Sequence, residues 1–153
     1  MDAMLGSLAR KLRIFGFDTL YHLEGPDTEL ITEAATERRI IITSDVGLWK
    51  DARKRDLAAL LIEGNDDRAR LASMLWQAKA TALRFKGGES RCALCNGELV
   101  RIGKSEATSL QTVSMAHGHR YYYRCAYCRK LYWRGSHWRR LRRLSSLLKE
   151  ERL

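Results

Sequence analysis

Proline is almost absent from this chain: Pro26 is the single one in 153 residues. That excludes a proline-rich linker or a polyproline ligand. No apolar run approaches the ~18 residues of a membrane span, and Arg10, Lys11 and Arg13 interrupt any leader-like apolar stretch at the N-terminus. The expectation is a soluble, cytoplasmic protein with no membrane partner. Internal repeats and low-complexity tracts are missing too. Four cysteines are too few for a disulfide-built scaffold of this length. Acidic residues are scarce in one half only. Residues 1–86 hold 14 Lys+Arg against 13 Asp+Glu, whereas residues 87–153 hold 14 against 5. Nearly all of the +10 net charge therefore lies in the second half. A basic region of that size favours phosphate polyanions; generic solubility is the plainer alternative.

What is present begins with Ile40-Ile41-Ile42-Thr43-Ser44-Asp45. Three β-branched residues in a row fit a central parallel strand buried on both faces. Its carboxyl end offers Thr43, Ser44 and Asp45 where open α/β sheets bind ligands. Around it the spacing predicts helices over 3–15, from Asp27 to about Arg38, over Val46–Arg55 and, after a turn at Glu63–Asp67, through Leu71, Leu75, Ala78 and Ala82 to about Leu83. Strands are expected at Asp18–Leu23, Ile40–Thr43 and Ala58–Ile62. Asp27, directly after Gly25-Pro26, is expected to cap its helix. Strands alternating with helices imply a parallel sheet.

After a linker at Lys86–Ser90 the composition changes, which sets two domains at 1–86 and 90–153. Short β pieces are expected at Glu98–Ile102 and Arg120–Tyr123, and a final helix from Ser136 carries Trp138, Leu141, Leu144 and Leu148 on one face and arginines on the other. Cys92-x-x-Cys95 and Cys125-x-x-Cys128 supply four thiolates at the spacing of a closed tetrahedral zinc site, structural because no position is left for water. Two disulfides are the alternative, and a reducing compartment disfavours them. Tyr121, Tyr122, Tyr123, Tyr127, Tyr132 and Trp133 are interleaved with arginines, the ingredients of RNA binding, although a module this small also needs aromatics for its core. The candidate RNA contacts are Arg120, Arg124, Arg134, His137, Arg139 and Arg140; His137 has a helix-cap alternative. Asp2, Asp27 and Asp45 each stand at a loop or helix entry. Converging carboxylates would suit Mg²⁺ or Mn²⁺ in phosphodiester hydrolysis, while capping explains an Asp at such positions equally well.

Asp2-Ala3-Met4-Leu5-Gly6-Ser7-Leu8-Ala9-Arg10-Lys11-Leu12-Arg13, Gly16-Phe17-Asp18-Thr19, Asp27-x-Glu29-Leu30 and Ile41-Ile42-Thr43-Ser44-Asp45 together resemble the PIN-like RNase family named for the C-terminal domain of the Mut-seven exonuclease. Cys92-x-x-Cys95-Asn96-Gly97, Cys125-x-x-Cys128 and Tyr132-Trp133-Arg134-Gly135-Ser136-His137-Trp138 resemble its zinc ribbon and closing motif. The resemblance implies a PIN-like three-layer α/β fold with a central parallel sheet, a four-cysteine zinc ribbon and a C-terminal basic helix. It also implies metal-dependent ribonuclease activity, with catalytic acids at Asp2, Asp27 and Asp45, structural Zn²⁺, and catalytic Mg²⁺ or Mn²⁺. Glu63 and Asp66 are candidates for a fourth acid; Lys50 and Arg13 are candidates for neutralising phosphate. The family's first strand, which ends in the first Asp, has no counterpart before Met1-Asp2. Either the true start lies upstream of Met1, which is the favoured reading, or the element is lost and Asp2 is expected on a loose terminus, with exposed neighbouring edges open to pairing with another copy. A non-catalytic RNA-binding protein on a degenerate scaffold is the alternative function.

Overall fold

The computed structural model describes residues 1–81, 88–109, 119–136, 140–141 and 144. The chain divides into two compact units, Met1–Leu12 with Thr19–Lys86, and Arg13–Asp18 with Gly87–Leu153.

In the first unit a single 3-10 turn, Ala3–Leu5, runs into α1 (Gly6–Ile14), and Leu5, Leu8, Ala9 and Leu12 are buried at the i, i+3, i+4 spacing that makes one apolar face. Helices α2 (Asp27–Glu37) and α3 (Val46–Lys54) flank β1 (Ile41–Thr43), and β2 (Ala59–Leu61) precedes α4 (Asp67–Ala80). β1 and β2 pair in parallel with Ile41 opposite Ala59 and Thr43 opposite Leu61. All three residues of β1 are buried, as a strand covered on both faces requires. One core cluster joins Leu30, Ile31 and Ala34 of α2 to Ile41, Leu48, Ala52 and Ala59. Across the unit, Asp67 at the start of α4 takes a hydrogen bond from Ser7 (2.8 Å) and an ion pair from Lys11 (2.5 Å).

Three expectations change. First, Asp18–Leu23 forms no strand. Its backbone meets Met1, whose ammonium donates to the Leu20 carbonyl (3.0 Å) and whose carbonyl accepts from His22 N–H (2.9 Å), while the Tyr21 hydroxyl turns to the Ala3 carbonyl (2.7 Å); so short a partner cannot propagate a ladder. Second, Pro26 and not Asp27 occupies the N-cap of α2, in extended geometry and without a side-chain cap bond, leaving Asp27 as the exposed first helical residue. Third, Asp2 is tied down. It is 8% exposed and its N–H donates to the Ile42 carbonyl (3.4 Å), so two residues occupy the free edge of β1. The outer edge of β2 is also occupied, by the Gln77 amide: Leu61 N–H donates to its Oε1 (3.0 Å) and its Nε2 donates to the Leu61 carbonyl. A side chain thereby stands in for a missing strand.

The second unit is built on an antiparallel sheet, β3 (Leu99–Ile102), β4 (Tyr122–Cys125) and β5 (Leu131–Trp133), in that spatial order. A short helix, α5 (Lys104–Ser109), follows β3, and its Ala107 packs with Tyr122, Ile102, Leu131 and Trp133 into a small core. Neither α5 nor β5 was expected from the sequence pattern. Gly16 follows the end of α1 at φ +91°, where a Cβ would run into the Gly88 carbonyl oxygen. Arg13 is 6% exposed and its guanidinium donates to the carbonyls of Ala93 (3.1 Å) and Leu94 (2.8 Å), so it braces the first cysteine turn and is not available to phosphate. Most of the helix expected after Ser136 lies outside the described residues.

Candidate metal centre and acidic site

The two C-x-x-C turns converge. Each opens its turn with a buried cysteine, Cys92 or Cys125, and closes it with an exposed one, Cys95 or Cys128. All four sulfurs lie within 4.8 Å of one another, with Cys92 to Cys128 at 3.5 Å and Cys95 to Cys125 at 3.4 Å. These separations are far longer than a ~2.05 Å disulfide and near the ~3.8 Å edge of a tetrahedron of thiolates around zinc. Four soft sulfur donors and no open position fit a closed structural site, so the cluster can hold an ion such as zinc. Burial opposes ionisation of Cys95, Cys125 and Cys128. At Cys95 the Gly97 backbone N–H and bonds from Cys125, Cys128 and Cys92 outweigh it and bring the thiol down to about 6. At Cys128 burial, with bonds to Cys95, Cys92 and Cys125, pushes the thiol up to about 12, and burial raises Cys125 as well.

Close surroundings serve this cluster. Tyr132 Oη lies 3.1 Å from Cys92 Sγ; burial and this contact raise the phenol above its ordinary range, keeping it a donor. A Cβ at Gly97 would stand 3.0 Å from Cys125 Sγ and 3.3 Å from Cys95 Sγ, so only glycine lets the backbone pass.

The acids gather less tightly. Asp2 Oδ1 accepts from Met4 N–H (2.9 Å), and Oδ2 accepts from Thr43 Oγ1 and from Ser44 N–H (3.0 Å). Thr43 Oγ1 in turn accepts from Asp45 N–H (2.9 Å), so Asp2 is fastened to the carboxyl end of β1 immediately beside Asp45. Asp45 is exposed and caps α3 through Oδ1 to Leu48 N–H (2.9 Å). Asp27 stands exposed at the start of α2. Asp66 caps α4 through Ala69 N–H (2.7 Å). Among the described residues the four cysteines are the one group of three or more such side chains close enough to share an ion.

Of the candidate RNA contacts, Arg120 and Arg134 lie 5.4 and 5.5 Å from the Tyr121 ring, and Arg101, which the sequence did not single out, lies 5.0 Å from it. Arg124 pairs with Glu106 (3.1 Å). Arg140 is exposed. His137 and Arg139 lie outside the described residues. His119 was also missed; it stacks on Trp133 at 5.8 Å. Among the described residues no helix is long and apolar enough to cross a membrane.

A parallel α/β unit with acids at a strand end goes together with a unit whose four cysteines lie close enough to hold a metal ion. The chain belongs to the Mut7-C RNAse domain family, whose model matches residues 1–145. No curated protein and no solved structure matches it. The family ties the chain to ribonuclease function and to RNA as substrate.

Proposed function

We propose that the chain is a metal-dependent ribonuclease, with a PIN-like three-layer domain over 1–86 that cuts RNA and a zinc ribbon with a basic C-terminal helix over 90–153 that binds it. The observation that carries this reading is the fastening of Asp2 beside Asp45 at the carboxyl end of β1. Mg²⁺ and Mn²⁺ take hard oxygen ligands and are commonly held by one or two carboxylates together with water and substrate phosphate; Asp2 and Asp45 supply that number, and Asp27 is a third donor. A bound divalent ion activates water and neutralises the leaving oxygen. The chain's own part is to fix the carboxylates: Thr43 and Ser44 hold Asp2, and the α3 cap holds Asp45.

The test is cleavage of structured and single-stranded RNA across a Mn²⁺ titration. Asp45→Asn removes the charge but retains the cap, because Asn caps as well as Asp. Loss of one electrostatic group from such a site costs roughly 100-fold in rate or more. An Asn variant that cuts as fast as the parent refutes the assignment.

A second reading, a non-catalytic RNA-binding protein, draws on one observation: the oxygens of Asp2 already accept three hydrogen bonds, and no three carboxylates converge among the described residues. RNA binding that survives removal of Mg²⁺ and Mn²⁺, with zinc retained and cleavage never seen, selects it.

A further inference from the structure

The β3-β4-β5 sheet has two unlike faces. Side chains alternate along a strand, so Ile102, Tyr122 and Trp133, which the register sets opposite one another, belong to the core with Ala107. The register places Arg101 opposite Tyr123, and Tyr123 opposite Tyr132, as a row across the other face. Arg134 ties this row together. Its guanidinium lies 5.4 Å from the Tyr123 ring and 5.5 Å from the Tyr121 ring, which Arg101 and Arg120 approach as well. Three exposed cations thus surround one half-buried ring. Among the described residues, a cavity of about 410 Å³ opens on this face, lined by Leu99, Tyr123, Tyr132, Arg91 and Arg134 among others. That volume lies within the ~300–1,000 Å³ of small-ligand sites.

Exposed guanidinium groups on one face draw a polyanion. Aromatic rings beside an apolar-walled cavity suit a flat, uncharged ring. A strand of unpaired nucleotides has both parts; a duplex keeps its bases stacked inside and offers only the phosphates. We propose that this face binds single-stranded RNA, with one unpaired base stacked in the cavity against Tyr123 and the flanking phosphates on Arg101, Arg120 and Arg134. The choice of RNA rests on the ribonuclease reading above; the preference for a single strand rests on the rings and the cavity.

Binding is measured with the full, zinc-loaded chain carrying Asp45→Asn and without Mg²⁺ or Mn²⁺, so that cleavage plays no part. The probes are a fluorescein-labelled oligouridylate and a duplex RNA of equal length. The single strand binds more tightly than the duplex. Tyr123→Leu, which keeps an apolar side chain but removes the ring, weakens the single strand about 5- to 150-fold, the range for losing one base-stacking ring, and leaves the duplex unchanged; Tyr123→Phe retains affinity. Arg101→Gln and Arg120→Gln each lower the slope of log affinity against log salt by about 0.7, the value for one single-strand phosphate contact. Should Tyr123→Leu fail to fold by zinc content, a single-stranded probe carrying 2-aminopurine, quenched on binding to the Asp45→Asn chain, reports the stacked base directly. Equal affinity for duplex and single strand, unchanged binding in folded Tyr123→Leu, or an unquenched 2-aminopurine overturns the proposal. None of these outcomes bears on whether Asp45 supports cleavage, so the two readings fail separately.

Discussion

Thr43→Val asks the most of the acidic site with the least change of shape. Thr43 is fully buried, and its hydroxyl does two jobs: it donates to Asp2 Oδ2 and accepts from Asp45 N–H. Valine has nearly the same outline, so no cavity term arises; what disappears is the hydroxyl. A hydrogen bond to a charged acceptor is worth about 1.5–3 kcal/mol, and a buried group left without a partner costs about 1–3 kcal/mol. Asp45 is exposed, so water satisfies part of its N–H and the second term sits at the low end. The sum is about 2.5–4 kcal/mol, which for a unit of this size lowers Tm by roughly 10–30 °C. Thr43→Ser is the control: it keeps the hydroxyl and removes one buried methyl, for about 1 kcal/mol. Urea unfolding followed by tryptophan fluorescence reads both, since Trp49 packs against the core that contains Ile41. A valine variant as stable as the serine variant would show that the hydroxyl holds nothing together and that Asp2 is positioned some other way.

Other perturbations test the remaining supports. Purified, reduced protein should carry one zinc ion per chain by metal analysis, and chelation should unfold the second unit by circular dichroism, the freed thiolates taking up protons because only the ion held them deprotonated; protein that is zinc-free yet folded would contradict this. Gln77→Ala strips both partners from Leu61 and should cost about 1–2 kcal/mol in urea unfolding. Burial opposes the Asp67 carboxylate, but hydrogen bonds from Lys11 and Ser7 draw it below its usual range. Because the folded-state value is the lower one, the stabilisation is fully present above the unfolded value of about 4 and is lost as pH falls through the folded value. Asp67→Asn should therefore be less stable than the parent at pH 7, and the gap should close in acid; a gap that is constant with pH would rule out the ion pair as its source.

What could be read from the sequence was what depends on near neighbours. The Ile41–Thr43 strand declared itself by β-branched residues in succession, and the four-cysteine cluster by two turns of fixed spacing, each able to point its sulfurs inward unaided. Elements of weak pattern escaped. In α5, Lys104–Ser109, a single buried Ala107 gives no periodicity to detect, and β5 is a three-residue run of Leu, Tyr and Trp inside an aromatic stretch already assigned to binding. Asp27 was misplaced by one residue: Pro26 already holds the extended geometry of the N-cap, without a side-chain cap bond, and Asp27 follows as the first helical residue.

Contacts distant in sequence could not be read at all. Asp2 meets Thr43 across 41 positions, Gln77 covers Leu61 across 16, and Arg13 braces Leu94 across 81. Each involves an ordinary residue whose type does not announce its partner. The loose terminus expected for Asp2 followed from counting the residues before it, when what fixes it comes from the strand to which it is bound.

That arrangement also decides how the acids should be separated by mutation. Asp2, Thr43 and Asp45 form one chain of hydrogen bonds, in which Asp45 N–H donates to Thr43 and Thr43 donates to Asp2. Removing the charge of Asp2 weakens its hold on Thr43, and through Thr43 alters the backbone that presents Asp45. A slow Asp2→Asn variant would thus be the result both if Asp2 held a metal ion and if it only positioned Asp45. Asp45 is free of this ambiguity, since its own cap on α3 survives substitution by Asn. The two roles of Asp2 divide in a double-mutant cycle with Thr43→Val read by stability as well as rate: a positioning role makes the two effects on rate overlap as they do on stability, whereas a ligand role leaves a loss of rate at Asp2 after Thr43 has been removed.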